Sequence, residues 1–217
     1  TWTPTATNTA GSQRLTDGNQ INAAVRSRGV ILIYTDTALY QMQFIGPPFT
    51  FGFRQLGTNC GAVGINAAVD VNGIAYWMGN DSFFLFDGAV KKIPCSVQDY
   101  VFDDINNNAL GDVFCAVNSD FNEVIWFYPS KNSTQIDRNV TYNYAEKIWY
   151  IGTLARSSWA DRGVYSNPYA AEFESSDTTA TISTINGVKE GRTFVYLHEE
   201  GVNDDGAAMN CHVESGD

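Results

Sequence analysis

The sequence predicts an all-β protein, a β-propeller-like array of four-stranded antiparallel blades with one short helix near residues 97–109. Three observations predict it. Short runs of Val, Ile, Phe, Tyr and Trp alternate with clusters of Gly, Asn, Asp, Ser and Pro, the pattern of strands separated by turns. Asn72-Gly73 and Asp87-Gly88 sit between apolar runs, the strongest short-range hairpin signal. Similar runs also recur at a spacing of about 40–50 residues, which is the blade range of propellers.

The clearest unit is residues 113–153. Val113–Asn118, Glu123–Tyr128, Asn139–Tyr144 and Lys147–Thr153 read as strands. Ser119-Asp120-Phe121-Asn122 and Ala145-Glu146 read as tight turns, and Pro129–Arg138 as a polar loop. A single blade of this kind cannot bury both of its faces, so it needs neighbours. Trp126 and Trp149 fall on its second and fourth strands, where they are expected to fill the layers between blades.

In chain order, residues 1–27 are polar and read as an irregular N-terminal segment. Blades are expected over 28–165. Gly29–Ile45 reads as a hairpin turning at Thr35-Asp36-Thr37, broken by Gly46-Pro47-Pro48 before the alternating run Phe49–Leu56. Residues 67–93 read as four strands with turns at Asn72-Gly73, Asn80-Asp81 and Asp87-Gly88. Tyr76-Trp77 aligns with Trp126-Phe127, so the two stretches repeat one another. Val97–Ala109 has Val97, Val101, Phe102 and Ile105 near helical spacing. Residues 166–217 read as an exposed loop and further strands, at Thr193–His198 and Ala207–Val213. The chain opens without Met and stops just after an alternating run, so a longer polypeptide is expected.

With 44% hydrophobic, 13% aromatic and 17% charged residues, the chain can bury a substantial core. A net charge of −11 argues against a surface that grips nucleic acid by neutralising phosphates. It is compatible with an acidic wall past which DNA slides. Cys60, Cys95, Cys115 and Cys211 are widely spaced without a CxxC pair and read as free, mostly buried thiols. No apolar run is long enough to span a bilayer, and no signal peptide is visible.

The sequence offers no P-loop, no dinucleotide glycine fingerprint, no HExxH, no GxSxG and no EF-hand loop. An enzyme is not expected, and no catalytic, cofactor-binding or metal-binding residue is assigned. His198 and His212 are the two histidines, and no spacing supports a His–Asp–Ser arrangement. Asp103-Asp104 has the composition of a carboxylate pair, but neighbouring side chains diverge, so a solvated face accounts for it better. Asn203-Asp204-Asp205-Gly206 offers oxygen ligands for Ca²⁺, and a plain β-turn is the simpler reading. Ser119–Trp126 is near the Asp-box of sialidase propellers, with the Trp one residue too far and Asn in place of Gly. It reads as a turn followed by a packed Trp. Trp77, Trp126, Phe127, Trp149 and Tyr150 are aromatic enough to stack on sugars, and their matched strand positions read instead as core packing.

Residues 28–165 resemble the β-propeller nozzle or tail-hub proteins of short-tailed bacteriophages. The likeness is carried by ILIYTDTALYQMQFIG, GFRQLGTNCG, GIAYWMGNDSFFLFDGAVKKIPCSVQDYVFDDIN and FNEVIWFYPSKNSTQIDRNVTYNYAEKIWYIGTLARSSW. It implies a structural virion protein forming an oligomeric ring, commonly of six copies, that lines the DNA ejection path. Its implied partners are further copies, the adaptor and fibres of the tail, and genomic DNA passing without specific binding. A receptor- or glycan-binding propeller module is the alternative. In a conduit, Asp103, Asp104, Asp120, Glu190, Asp204 and Asp205 are expected to keep the channel face negative or neutral. Lys91, Lys92, Lys131, Arg138 and Lys147 are then expected to point outward or into subunit contacts.

Overall fold

The structure is a computed structural model that describes residues 3–5, 8–174, 192–201, 203–204 and 207–208. It is mostly β. The first sheet is an antiparallel meander of β1 (Ile21–Ser27), β2 (Val30–Thr35), β3 (Ala38–Gly46) and β4 (Thr50–Thr58). The second comprises β5 (Ala68–Val71), β6 (Ile74–Met78), β7 (Phe83–Phe86) and β8 (Val90–Ile93). The third comprises β9 (Phe114–Asn118), β10 (Glu123–Tyr128), β11 (Arg138–Asn143) and β12 (Ile148–Gly152). A three-stranded sheet follows, β13 (Ser158–Ala160), β14 (Tyr169–Glu174) and β15 (Arg192–Leu197), then a short pair, β16 (Asn203–Asp204) and β17 (Ala207–Ala208). All named pairings are antiparallel, and neighbours in sequence are neighbours in each sheet.

The turns explain much of this regularity. Asn72 and Gly73 both take positive φ, 53° and 83°, which the β5–β6 turn requires and Asn-Gly supplies at low cost. Gly61 lies so close to the first sheet that a Cβ there would stand 2.4 Å from the backbone of Asp36. Asn59, just before it, is left-handed at φ 53°. The Gly57-Thr58-Asn59-Cys60-Gly61 turn is thus dictated by backbone geometry, and it carries the chain from the first sheet to the second.

Three sequence readings change. Ile21–Ser27 lies in the stretch read as irregular, yet it is the first strand of the first sheet, paired along its length with β2. Its Asn22 and Arg26 hid the alternation. The helix α1 covers Gln98–Asp104 only. Ile105 is already extended and bridges Ser130, while the Asn106 N–H donates to the Pro129 carbonyl at 3.0 Å. Strand-type pairing captures the backbone there, and a 3₁₀ turn, Leu110–Asp112, closes the segment. The repeat also shifts by one residue. Trp77, rather than Tyr76, matches Trp126, because Trp77 and Trp126 both face the preceding sheet. In a strand, a one-residue slip exchanges the two faces.

The sheets stack face to face in chain order, and side-chain alternation divides each strand between two cores. In β6, Ala75 and Trp77 pack towards the first sheet, whereas Tyr76 and Met78 pack towards the third. In β7, Phe84 and Phe86 join the first of these cores, and Phe83 and Leu85 the second. Val124, Trp126 and Tyr128 of β10 face the second sheet, and Ile125 and Phe127 face Trp159 of the fourth. Burial on both faces is why these strands are almost continuously apolar. Helix α1 seals the second core with Val101, and Ile105 follows it.

Aromatic rings fill the layer between the second and third sheets. Phe83 lies 4.9 Å from Trp126 and 4.6 Å from Trp149, centroid to centroid. Trp126 and Trp149 stack at 5.9 Å. They lie on β10 and β12, the second and fourth strands. Each described tryptophan also donates its indole N–H backwards along the stack. Trp77 bonds the Cys60 carbonyl at 2.8 Å, Trp126 that of Ala67 at 3.1 Å, Trp149 that of Pro94 at 2.8 Å and Trp159 that of Val117 at 2.9 Å. Trp126→Ala should therefore destabilise by about 3–5 kcal/mol through lost packing. Trp126→Phe keeps one aromatic ring in the layer but loses the N–H bond, about 1 kcal/mol, and the volume of the indole's second ring, so it should cost less than Trp126→Ala. Urea unfolding midpoints check both, and equal losses in the two variants would refute the packing contribution.

Candidate functional site

Neighbouring sheets approach most closely through their first strands. β1 lies beside β5, β5 beside β9 and β9 beside β13. An isolated parallel bridge joins Asn66 to Phe114, and the Cys115 N–H donates to the Asn66 carbonyl at 2.7 Å. Where these strands line up they leave an open cleft of about 1010 Å³. Ala24, Ala68, Phe114 and Trp159 contribute from the four sheets, and the loop Ser133–Asp137 overhangs one side.

The charges of this cleft are mostly engaged. Asp137 accepts from the Ser130 N–H and hydroxyl, both at 2.7 Å, which pins the overhanging loop. Arg156 is buried, with a side chain 7% exposed, and pairs with Glu172 at 2.8 Å. Its Nε–H donates to His198 Nε2 at 3.0 Å, and its guanidinium lies 4.1 Å from the centre of the Tyr196 ring. The His198 ring in turn packs against Trp159 at 4.6 Å. These residues join β13, β14 and β15 into one unit against the third sheet. Sequence reasoning missed the cluster, because its members are separated by many residues and follow no spacing rule.

A second polar cluster sits at the β9–β10 turn. Asn118 donates through Nδ2 to Glu123 Oε2 at 3.4 Å and to Glu199 Oε1 at 3.1 Å, and the Tyr150 hydroxyl bonds Glu123. Burial, reinforced by the Glu199 charge, pushes the Glu123 carboxyl above its ordinary value, partly opposed by the Asn118 bond.

The sequence candidates do not converge on either place. Asp103 is exposed, whereas Asp104 pairs with Arg138 at 3.6 Å, so the two carboxylates diverge. Ser119–Asn122 is a turn with Asn122 left-handed at φ 59°, followed by the packed Trp126. Asn203–Gly206 and His212 are not open to this comparison, since Asp205, Gly206, Cys211 and His212 lie outside the described residues, as does Glu190. Cys60, Cys95 and Cys115 are free thiols, and burial raises all three, Cys95 to about 11. Among the described residues no three His, Cys, Asp or Glu side chains are grouped to hold a metal. No helix among them is long and apolar enough to cross a membrane. Lys91, Lys92, Lys131, Arg138 and Lys147 do not line the cleft. Compared with known proteins, the chain matches no family model and no curated sequence.

Two predictions follow from the polar clusters. Arg156→Met leaves Glu172 without its cation and should cost about 2–4 kcal/mol, less than a fully buried pair because Glu172 keeps some water. Amide exchange should speed first in β13–β15, and uniform acceleration would refute a local role. For Glu123, a raised pKa in the folded state means that folding is favoured by its proton. That contribution is full below the ordinary Glu range and is lost as pH rises through the raised value. Glu123→Gln should therefore melt higher than wild type at pH 7, with the difference closing towards pH 4, as scanning calorimetry across pH would record.

Proposed function

We propose that this chain is a structural tail protein of a short-tailed bacteriophage, a nozzle or hub component built as a β-propeller. In this reading, the stacked sheets are blades that fan about their first strands. The central cleft is then the propeller axis rather than the DNA path. Identical copies form the ring, and DNA passes through the lumen between them. The observation that carries the reading is the serial stack itself, in which the second and third four-stranded units bury both faces against neighbours and consecutive sheets meet through their first strands. The order of motifs in 28–165 and the excess of 24 acidic over 13 basic residues support it further. A lumen that must release DNA has no use for basic side chains, each of which adds an attractive, salt-dependent contact.

Native mass spectrometry and negative-stain imaging of the purified chain test this proposal. A closed ring that shows no salt-sensitive DNA binding is expected. A monomer at micromolar concentration that captures a glycan in array screening would favour the receptor-binding alternative instead. A ring whose lumen is lined mainly by Lys and Arg would overturn the conduit.

A further inference from the structure

The hairpin β3–β4 outruns its own sheet. β2 pairs with β3 from Leu39 to Met42, whereas β3 and β4 stay paired out to Gly46 and Thr50. The extension therefore has no third strand, yet it is the most apolar exposed segment of the first sheet. Phe44 is 65% exposed, Ile45 56%, Phe49 77%, Phe51 46% and Phe53 39%. Two-stranded ribbons are marginal in water, and a soluble surface seldom groups five such side chains without a partner.

The register makes this extension two-faced at its base and apolar all round at its tip. Met42 pairs with Phe53 and Phe44 with Phe51, which puts these four side chains on one face, with the Phe44 and Phe51 rings edge to face at 5.9 Å. Gln41, Gln43 and Arg54 occupy the other face, and Arg54 donates to Gln41 at 3.3 Å. Beyond them Ile45 leans over Gly52, 3.2 Å from where a Cβ would be. The tip itself is Gly46-Pro47-Pro48-Phe49. Two prolines bring no N–H groups, and the Phe51 N–H is satisfied by the Phe49 carbonyl at 2.6 Å. Few donors would be stranded on leaving water.

Charge and area single out the occupant. Between Asp36 and Asp70 there is no acidic residue, and Arg54 is the sole charge. The rest of the chain carries −12, since the total of −11 includes the +1 of Arg54. That charge repels an anionic surface and tolerates a neutral one. The five side chains expose on the order of 500 Å², taking about 200 Å² for a whole aromatic, against the ~800 Å² per partner of a standard protein interface. The patch is too small for a second copy to hold by itself. It suits a fluid apolar phase that needs no shape complement. From the Met42–Phe53 pair to the Gly46–Thr50 pair is about 13 Å along the strands. From the Phe44–Phe51 pair to the same end is about 7 Å, within an interfacial depth of roughly 5–10 Å, so the tip can enter with Arg54 left at headgroup phosphates.

We propose that the β3–β4 hairpin inserts its tip shallowly into zwitterionic lipid bilayers. The inference is independent of the tail reading, because it concerns one hairpin in any assembly. Flotation of the full chain with phosphatidylcholine vesicles tests it. Wild type should float, and recovery should fall as phosphatidylglycerol replaces phosphatidylcholine, the reverse of a basic membrane binder. Phe44→Ser with Phe49→Ser should weaken partition at least about tenfold, since two aromatic side chains leave the apolar phase, with the thermal unfolding midpoint unchanged. Phe49→Trp should float like wild type and show a blue-shifted emission only with vesicles. Wild type that stays at the bottom of the gradient, or a double variant that still floats, overturns the proposal. So does an assembly of wild type that the double variant loses while vesicle binding is absent, which would assign the hairpin to contacts between copies.

Discussion

Two-sided burial is the constraint on which the rest of this molecule depends. The second and third meanders are apolar on both faces, so neither is stable until sheets on both sides cover it. The second sheet shows the consequence most plainly. Adjacent residues Phe83 and Phe84 are both buried, yet they belong to different cores. Indole N–H groups turn that non-directional attraction into a defined geometry. The Ala67 carbonyl accepts both the Met78 backbone N–H and the Trp126 indole, so one oxygen holds a strand end and the next sheet together. A tryptophan in such a layer supplies area and direction at once, which Phe cannot do.

Docking each sheet against its predecessor also brings the first strands together, and the cleft is the space they leave. Strand pairing and the Asn66–Phe114 bridge hold its walls together. Its polar side chains mostly serve the fold. Asp137 holds a loop, and Arg156 holds the fourth sheet through Glu172 and His198. Among the described side chains of the fourth sheet, Ala170 is buried and Trp159 partly buried, and the Arg156–Glu172 ion pair adds to this apolar backing. An ion pair of this kind fixes position more than it adds stability, since desolvation offsets much of its attraction.

The β3–β4 hairpin departs from this scheme. The outer edge strand of the second sheet carries exposed Lys91 and Lys92, a common protection against unwanted pairing. The equivalent edge of the first sheet has Phe49, Phe51 and Phe53, with only Arg54 for charge. Local propensity and solvation disagree there, and such disagreements tend to mark places where function overrides stability.

The sequence by itself determined the strands and turns of residues 67–93 and 113–153, because Asn-Gly, Asp-Gly and alternating aromatics act over a few residues. It also determined that Trp126 and Trp149 would be packing residues, since β-type runs repeating at blade spacing need mutual cover. Only the tertiary structure decided which face each residue serves, so the match of Trp77 to Trp126 became visible once sheets stood on both sides. It likewise decided that Ile21–Ser27 is a strand, because β2 supplies the pairing that a weak local pattern does not demand. Helix α1 ended early for the same reason, since Ile105, the residue that follows it, pairs with Ser130 across the fold. The Arg156 and Glu123 clusters lay beyond reach of sequence reasoning. Ion pairing and desolvation depend on distance in space, and residues as far apart as Asn118 and Glu199 meet only after the sheets have stacked.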